Sequence, residues 1–400
     1  MKDLNETKVV PTEKMEEGNT ITTKKFNIEK TCLKHILVAM AISGCYNPNK
    51  RKSCSRFFTI YRILIFLTLL AFVAKTASGF AYISKTEYFG HAIVLGWNIC
   101  STVMFLLSLK MNHSVVSNQD HTFEFLNTTV LPQMADLGIK FDNVSFKRKQ
   151  IVLCLVAAVI IILVVLFSIL QLSGIFGGGN TATMTTPFER TPLTSFVQIL
   201  LLVVCSLPVT IPTFYMIVIC CMLTQCFSSF NQYLDAEMSH DACRMPQTMQ
   251  TLRQYYTNLC KAVVDFDKDF RYLLGNLFFW NIILSLLTLY VTLRVDMGNN
   301  GTIGIMTYIF WLLLCMGTLV ATSVFAALVN EAAHAPLDSI YYINVQDITV
   351  EKLAQLNLFL SKLTGTQVGF STCGLLIITK EFILTIAGVF LTYFAVLYTL

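Results

Sequence analysis

A chain of 400 residues that is 54% hydrophobic and 13% charged, with a mean hydropathy of +0.62, excludes a soluble globular protein, in which about 25% of residues carry charge. The net charge of +5 informs through its placement rather than its size, and no nucleic-acid partner is expected. The thirteen cysteines show neither metal-ligand nor CxxC spacing. They read as small apolar residues and cytosolic thiols, and no metal or other cofactor is expected.

The first thirty residues are charged and polar, which predicts no secretory signal peptide and makes 1–56 a cytosolic N-terminal segment. A bilayer core ~30 Å thick asks for roughly 20 mostly apolar helical residues. Seven stretches qualify, at Phe57–Ile83, Phe89–Leu109, Ile151–Leu172, Phe196–Leu223, Asn276–Val295, Ile303–Val329 and Leu375–Tyr398. The third carries one serine and no charge over "IVLCLVAAVIIILVVLFSIL", and the fourth contains Pro208 and Pro212, which membrane helices tolerate as kinks. The expected fold class is an all-α membrane protein with seven transmembrane helices. Spans one to six fill 57–329, with loops at 110–150 and 225–272. A loop with an amphipathic helix follows at 330–367, and the last span occupies 368–400.

Two helices are expected to outrun the membrane. Leu252, Tyr256, Leu259, Val263, Phe266, Phe270, Leu273 and Leu277 form a heptad seam that runs into the fifth span. A continuous helix from Leu252 to Val295 would measure ~66 Å, about twice the apolar core. Val350, Leu353, Leu356, Leu360 and Leu363 form a second seam, broken by "GTQVG" at Gly365–Gly369. The seams either pack on each other within one chain or build an interface between subunits.

Lysine and arginine placement sets the expected orientation. Eleven lie in 1–56, five in 110–150, five in 225–272 and two in 330–367, against Lys75, Lys85, Arg190 and Arg294 on the other side. Positive charge stays inside, so the N-terminus is expected in the cytosol and the C-terminus outside. Of the N-x-S/T sequons, Asn5, Asn112, Asn127 and Asn143 fall on the cytosolic side. Asn300, in the 296–302 loop, is the one expected to be glycosylated.

Other seven-span classes fit less well. A G-protein-coupled receptor has the opposite charge bias, and the chain lacks Asp-Arg-Tyr after the third span and Asn-Pro-x-x-Tyr in the last. Seven spans do not divide into the paired repeats of a secondary transporter. No enzyme is expected: "GGGN" at 177–180 has no following Lys-Ser/Thr, and His334 has no metal-binding companion.

The chain closes on Thr392, Tyr393, "FAVLY", Thr399 and Leu400. This resembles the signature of the arthropod gustatory receptors, a family related to the insect olfactory receptors: Thr-Tyr, five hydrophobic residues, then Gln-Phe. Thr399 and Leu400 depart from it. The preceding "VGFSTCGLLIITKEFILTIAGVFLTYF" is also similar to the family. The resemblance implies a ligand-gated non-selective cation channel of four subunits, a homo- or heterotetramer, in the plasma membrane of sensory neurons. Each subunit would give its last helix to a central pore, with Thr392, Tyr393, Val396, Thr399 and Leu400 at the gate. It further implies a pocket among the outer halves of helices two to six, which here offer Trp97, Asn98, Gln171, Gln198, Tyr290, Thr292, Thr307, Tyr308 and Trp311. Aromatic faces with a few amides and hydroxyls suit a small neutral tastant. An olfactory-type receptor of the same superfamily is the alternative.

Overall fold

The computed structural model describes residues 33–45, 52–82, 88–117, 125–139, 142–173, 191–240, 249–294, 297–341 and 349–399. In chain order these form α1 (Lys34–Ile42), α2 (Lys52–Gly79), α3 (Tyr88–Ser117), α4 (Leu131–Asp136), α5 (Asn143–Ser173), α6 (Pro192–His240), α7 (Met249–Arg294), α8 (Met297–His334), α9 (Pro336–Tyr341) and α10 (Val350–Gly365). A two-stranded hairpin of β1 (Ser371–Thr372) and β2 (Leu376–Ile377) then leads into α11 (Lys380–Thr399). Among the described residues seven helices, α2, α3, α5, α6, α7, α8 and α11, are long and apolar enough to cross a membrane. Each contains most of one of the seven stretches read from hydropathy.

Burial differs sharply among the seven. α6 is the most buried of the seven, packed against α5, α8 and α3; it runs 49 residues through Pro208 and Pro212, ~74 Å at 1.5 Å per residue. α2 and α5 leave most of their apolar side chains exposed on the outside of the bundle, which is the pattern of a lipid-facing surface.

The long α7 spans 46 residues, and its heptad seam is consumed inside the chain. Leu252, Tyr256, Leu259, Val263, Phe266, Phe270, Leu273 and Leu277 are all at most 2% exposed. Tyr256 packs edge-on to Phe359 of α10 at 5.2 Å and against Phe230 of α6 at 5.9 Å. Of the two readings of this seam, packing within one chain is the one found. The aromatic core also closes the end of α8: Asn231 Nδ2 and Tyr256 OH donate to the Ala332 and Ala333 carbonyls at 2.9 and 3.1 Å. Those carbonyls lie in the last turn of a helix, where no backbone donor reaches them. The α10 seam is split. Leu356 and Leu363 are buried, while Val350 is 85% exposed and Leu353 36%.

Two predicted boundaries move. The last span was expected to be helical from Leu375, but the helix starts at Lys380, because Cys373 and Gly374 adopt φ of 54° and 74° and turn the chain into the hairpin. Left-handed backbone at two successive residues is incompatible with a continuing helix. The loop expected at 296–302 is instead the first turn of α8, which begins at Met297 and includes Asn300. The first turn of a helix leaves its N–H groups unpaired, so a polar run is at home there.

Candidate ligand cavity and exit helix

The candidate ligand site is a cavity where the N-terminal halves of α3 and α8 meet the C-terminal half of α7. It is narrow and partly open at its mouth. α3 contributes Gly90, Ile93, Val94 and Trp97, α6 contributes Leu202, and α7 contributes Leu284 and Thr288. Thr307, Tyr308, Trp311 and Cys315 complete it from α8. Spacing explains the convergence. Gly90, Ile93, Val94 and Trp97 stand at i, i+3, i+4 and i+7, and Thr307, Tyr308, Trp311 and Cys315 at i, i+1, i+4 and i+8, so each set lies on one helix face.

Aromatic packing sets the walls. The Trp97 and Trp311 rings meet edge-on at 5.3 Å, and Phe310 packs edge-on to Trp311 at 5.8 Å while stacking on Phe167 of α5 at 4.0 Å. Gly90 makes room for Tyr308: a β-carbon there would stand 2.7 Å from the phenol oxygen. The polar content of the cavity is low. Thr288 donates its hydroxyl proton to the Leu284 carbonyl at 2.6 Å.

Four of the residues expected in the pocket, Trp97, Thr307, Tyr308 and Trp311, are brought together in this cavity. Asn98 faces α2 instead, its Nδ2 donating to Thr76 Oγ1 at 2.9 Å. Gln198 is likewise turned to α2, where its Oε1 accepts from Lys75 Nζ. Tyr290 packs on Phe89 at 4.9 Å between ring centres, and Thr292 donates to the Thr288 carbonyl at 2.7 Å. Neither lines the cavity. The side chains of Gln171 and Asn300 lie outside the described residues. Sequence reasoning missed Gly90, Ile93, Val94, Leu202, Leu284, Thr288 and Cys315, because apolar lining carries the same residue types as a packed core.

The second candidate site is the exit helix. α11 has no buried residue along its 20 positions, and it holds the bundle chiefly at its first turns. Phe382 packs on Phe278 of α7 at 5.6 Å, and Lys380 Nζ bonds Glu331 Oε1 of α8 at 2.7 Å. Beyond them the helix presents Thr392, Val396 and Thr399 on one exposed face, with Tyr393 half-buried beside them. Thr392 donates its proton to the Gly388 carbonyl at 2.9 Å, and Thr399 donates to Val396 and Ala395 at 2.9 and 3.1 Å. With the protons turned inward, the lone pairs of both hydroxyls point outward. Leu400 lies outside the described residues.

The junction ahead of α11 is tightly held to α7 and α8. The Ser371 N–H and hydroxyl donate to Asp267 Oδ1 at 2.6 and 2.9 Å, and the hydroxyl also reaches Oδ2 at 2.9 Å. The Cys373 N–H donates to the Arg271 carbonyl at 2.9 Å, and Asn330 Nδ2 donates to the Val368 carbonyl at 2.8 Å. Gly275 of α7 lies directly under Cys373 Sγ, where a β-carbon would collide.

The sequence family described as 7tm Chemosensory receptor matches residues 33–398. The comparison with curated proteins gives no match. Among solved structures, the insect olfactory receptor OR5 from Machilis hrabei is similar with a TM-score of 0.65 at 14% identity, over 91% of this chain and 97% of that one. The same receptor in complex with eugenol gives a TM-score of 0.66 at 13% identity, over 92% and 97%. At such identity the likeness is one of fold.

Proposed function

This chain belongs to the 7tm chemosensory receptor family, a receptor family and not an enzyme class, and from that premise we propose that it is a gustatory receptor acting as a ligand-gated non-selective cation channel. The observation that carries the proposal is α11. A 20-residue apolar helix with no buried residue is left uncovered along most of its length by the described residues of its own chain. A ring of four copies around an axis covers it and opposes Val396 and Leu400 across a constriction that dewets when narrow. The outward lone pairs of Thr392 and Thr399 suit a passing cation.

The packing supplies a route from ligand to gate. α7 and α8 both line the cavity, both hold the junction before α11 through Asp267 and Asn330, and both touch the first turn of α11 through Phe278 and Glu331. A ligand that wedges α7 from α8 therefore moves the base of the exit helix. The ligand is a small uncharged tastant. The solved relative in complex with eugenol, an uncharged aromatic compound, supports that class.

The same reading puts the N-terminus in the cytosol, the C-terminus outside, a sugar on Asn300, and the assembly in the plasma membrane of sensory neurons. An olfactory-type role is the second reading, favoured by the olfactory receptor among the similar folds. The test is to express the full chain in a eukaryotic cell and record currents while applying uncharged aromatic compounds. Ligand-evoked cation currents are expected. Ligand binding without any current would contradict the channel.

A further inference from the structure

Lys110 of α3 and Arg271 of α7 share one phenol ring. The Lys110 ammonium stands 4.8 Å from the centre of the Tyr272 ring, and the Arg271 guanidinium carbon stands 4.8 Å from it too. Arg271 Nη2 also donates to the Tyr272 hydroxyl at 3.3 Å, which leaves the phenol proton for another acceptor. Among the described residues neither cation forms a salt bridge, and the Asp267 carboxylate, one turn earlier on α7, is taken by Ser371. Two like charges gathered on one ring repel each other, so an anion that bridges them is stabilised by both. Lys110 and Tyr272 are exposed, and the group is open to such an anion.

The surroundings say which anion. Lys110 directly follows the apolar stretch that ends at Leu109, and Arg271 precedes the one that opens at Asn276, so the ring they share marks a boundary of the apolar core. The hairpin ahead of α11 meets them there. The Cys373 N–H donates to the Arg271 carbonyl at 2.9 Å, and a β-carbon at Gly374 would lie 3.7 Å from Arg271 Nη1. Just past that turn, Leu375 and Leu376 are 84% and 57% exposed. Fixed positive charge, an open hydroxyl and bare leucines at one boundary match a molecule with a charged head and an apolar tail. We propose that Lys110, Arg271 and Tyr272 bind the phosphate headgroup of an anionic phospholipid whose acyl chain lies over Leu375 and Leu376. The orientation given above puts this boundary in the cytosolic leaflet, which is the one rich in anionic lipid. The binding itself goes beyond the channel reading and stands without it. An occupied site braces the hairpin at the root of α11.

The experiment uses purified full-length receptor in detergent at physiological salt. Binding of dioctanoyl phosphatidylinositol phosphate, dioctanoyl phosphatidylcholine and free inositol bisphosphate is titrated by microscale thermophoresis. The anionic lipid should bind saturably, and the other two much more weakly. Lys110→Gln and Arg271→Gln should each weaken the anionic lipid roughly tenfold. Lys110 is exposed, so its variant tests the site even where Arg271→Gln lowers the yield. Lys147→Gln and Arg148→Gln, which remove exposed cations at the start of α5, should change the affinity by less than about twofold, because salt screens exposed charges beyond short range. Equal losses in the α5 variants would reduce the site to general cationic attraction and overturn it. Equal affinity for free inositol bisphosphate would make it a site for a soluble anion and overturn the lipid. Leu376→Asn that breaks up the assembly and leaves lipid affinity intact would give the hairpin to a second copy, and would also overturn the assignment. Ligand-evoked currents are recorded from cells expressing the same variants. Lipid binding with the expected losses but no current in any of them supports the site and contradicts the channel.

Discussion

Asp267 and Ser371 lie 104 positions apart in sequence, and one carboxylate takes both the backbone N–H and the hydroxyl of the serine. Hydrogen bonds to a charged acceptor are among the stronger ones in proteins. This one fastens the hairpin, and with it the root of α11, to the long helix α7. Replacing Asp267 by Asn keeps the shape but removes the charge and one acceptor, and costs about 1.5–3 kcal/mol of local stability. The expected outcome is a reduced maximal current with ligand affinity unchanged, since the cavity is built from other residues. Equal losses in both would mean that the contact supports the whole bundle rather than coupling it.

Gly90 and Gly317 form a matched pair of tests. A β-carbon at Gly90 meets the Tyr308 hydroxyl at 2.7 Å, whereas at Gly317 nothing lies within 4 Å. Gly90→Ala should displace the Tyr308 ring and weaken binding of an aromatic ligand several-fold. Gly317→Ala, in the same membrane-spanning helix as Tyr308, should bind normally. A ligand titration of each variant decides the matter, and equal affinities would remove Tyr308 from the site.

The Lys380–Glu331 pair is only 2.7 Å long but well exposed, with side chains 66% and 49% accessible. An exposed pair of this kind contributes at most about 1 kcal/mol to stability. Lys380→Gln should leave the melting temperature almost unchanged. If the pair steadies the base of the exit helix, it should shift the ligand concentration for half-maximal current, and Glu331→Gln should shift it equally. A double variant no worse than either single one would demonstrate the coupling.

Much of the architecture was legible because hydropathy and period carry it. The spans and the heptad seam of α7 follow from apolar residues alone, and the aromatic residues Trp97, Thr307's neighbour Tyr308, and Trp311 stand out in polar-poor surroundings. What a single chain could not reveal depends on tertiary partners. Asn98 and Gln198 have the chemistry of ligand contacts, yet Thr76 and Lys75 of α2 take them. The hairpin before α11 was hidden inside an apolar run, and only the left-handed Cys373 and Gly374 turn it. Ile93, Val94 and Leu284 line the cavity, but their type is the same as that of any core position.

The claim that α11 lines a pore has a sharper test than pharmacology. Val396 is 49% exposed on the face shared with Thr392 and Thr399, while Tyr398, 80% exposed, points to the other side. In a Cys373→Ser background, which removes an exposed thiol, Val396→Cys and Tyr398→Cys receptors are treated with a charged thiol reagent during ligand-evoked current. The account predicts block at Val396→Cys and no block at Tyr398→Cys. Current that persists at both positions, or falls equally at both, would contradict a pore lined by this helix.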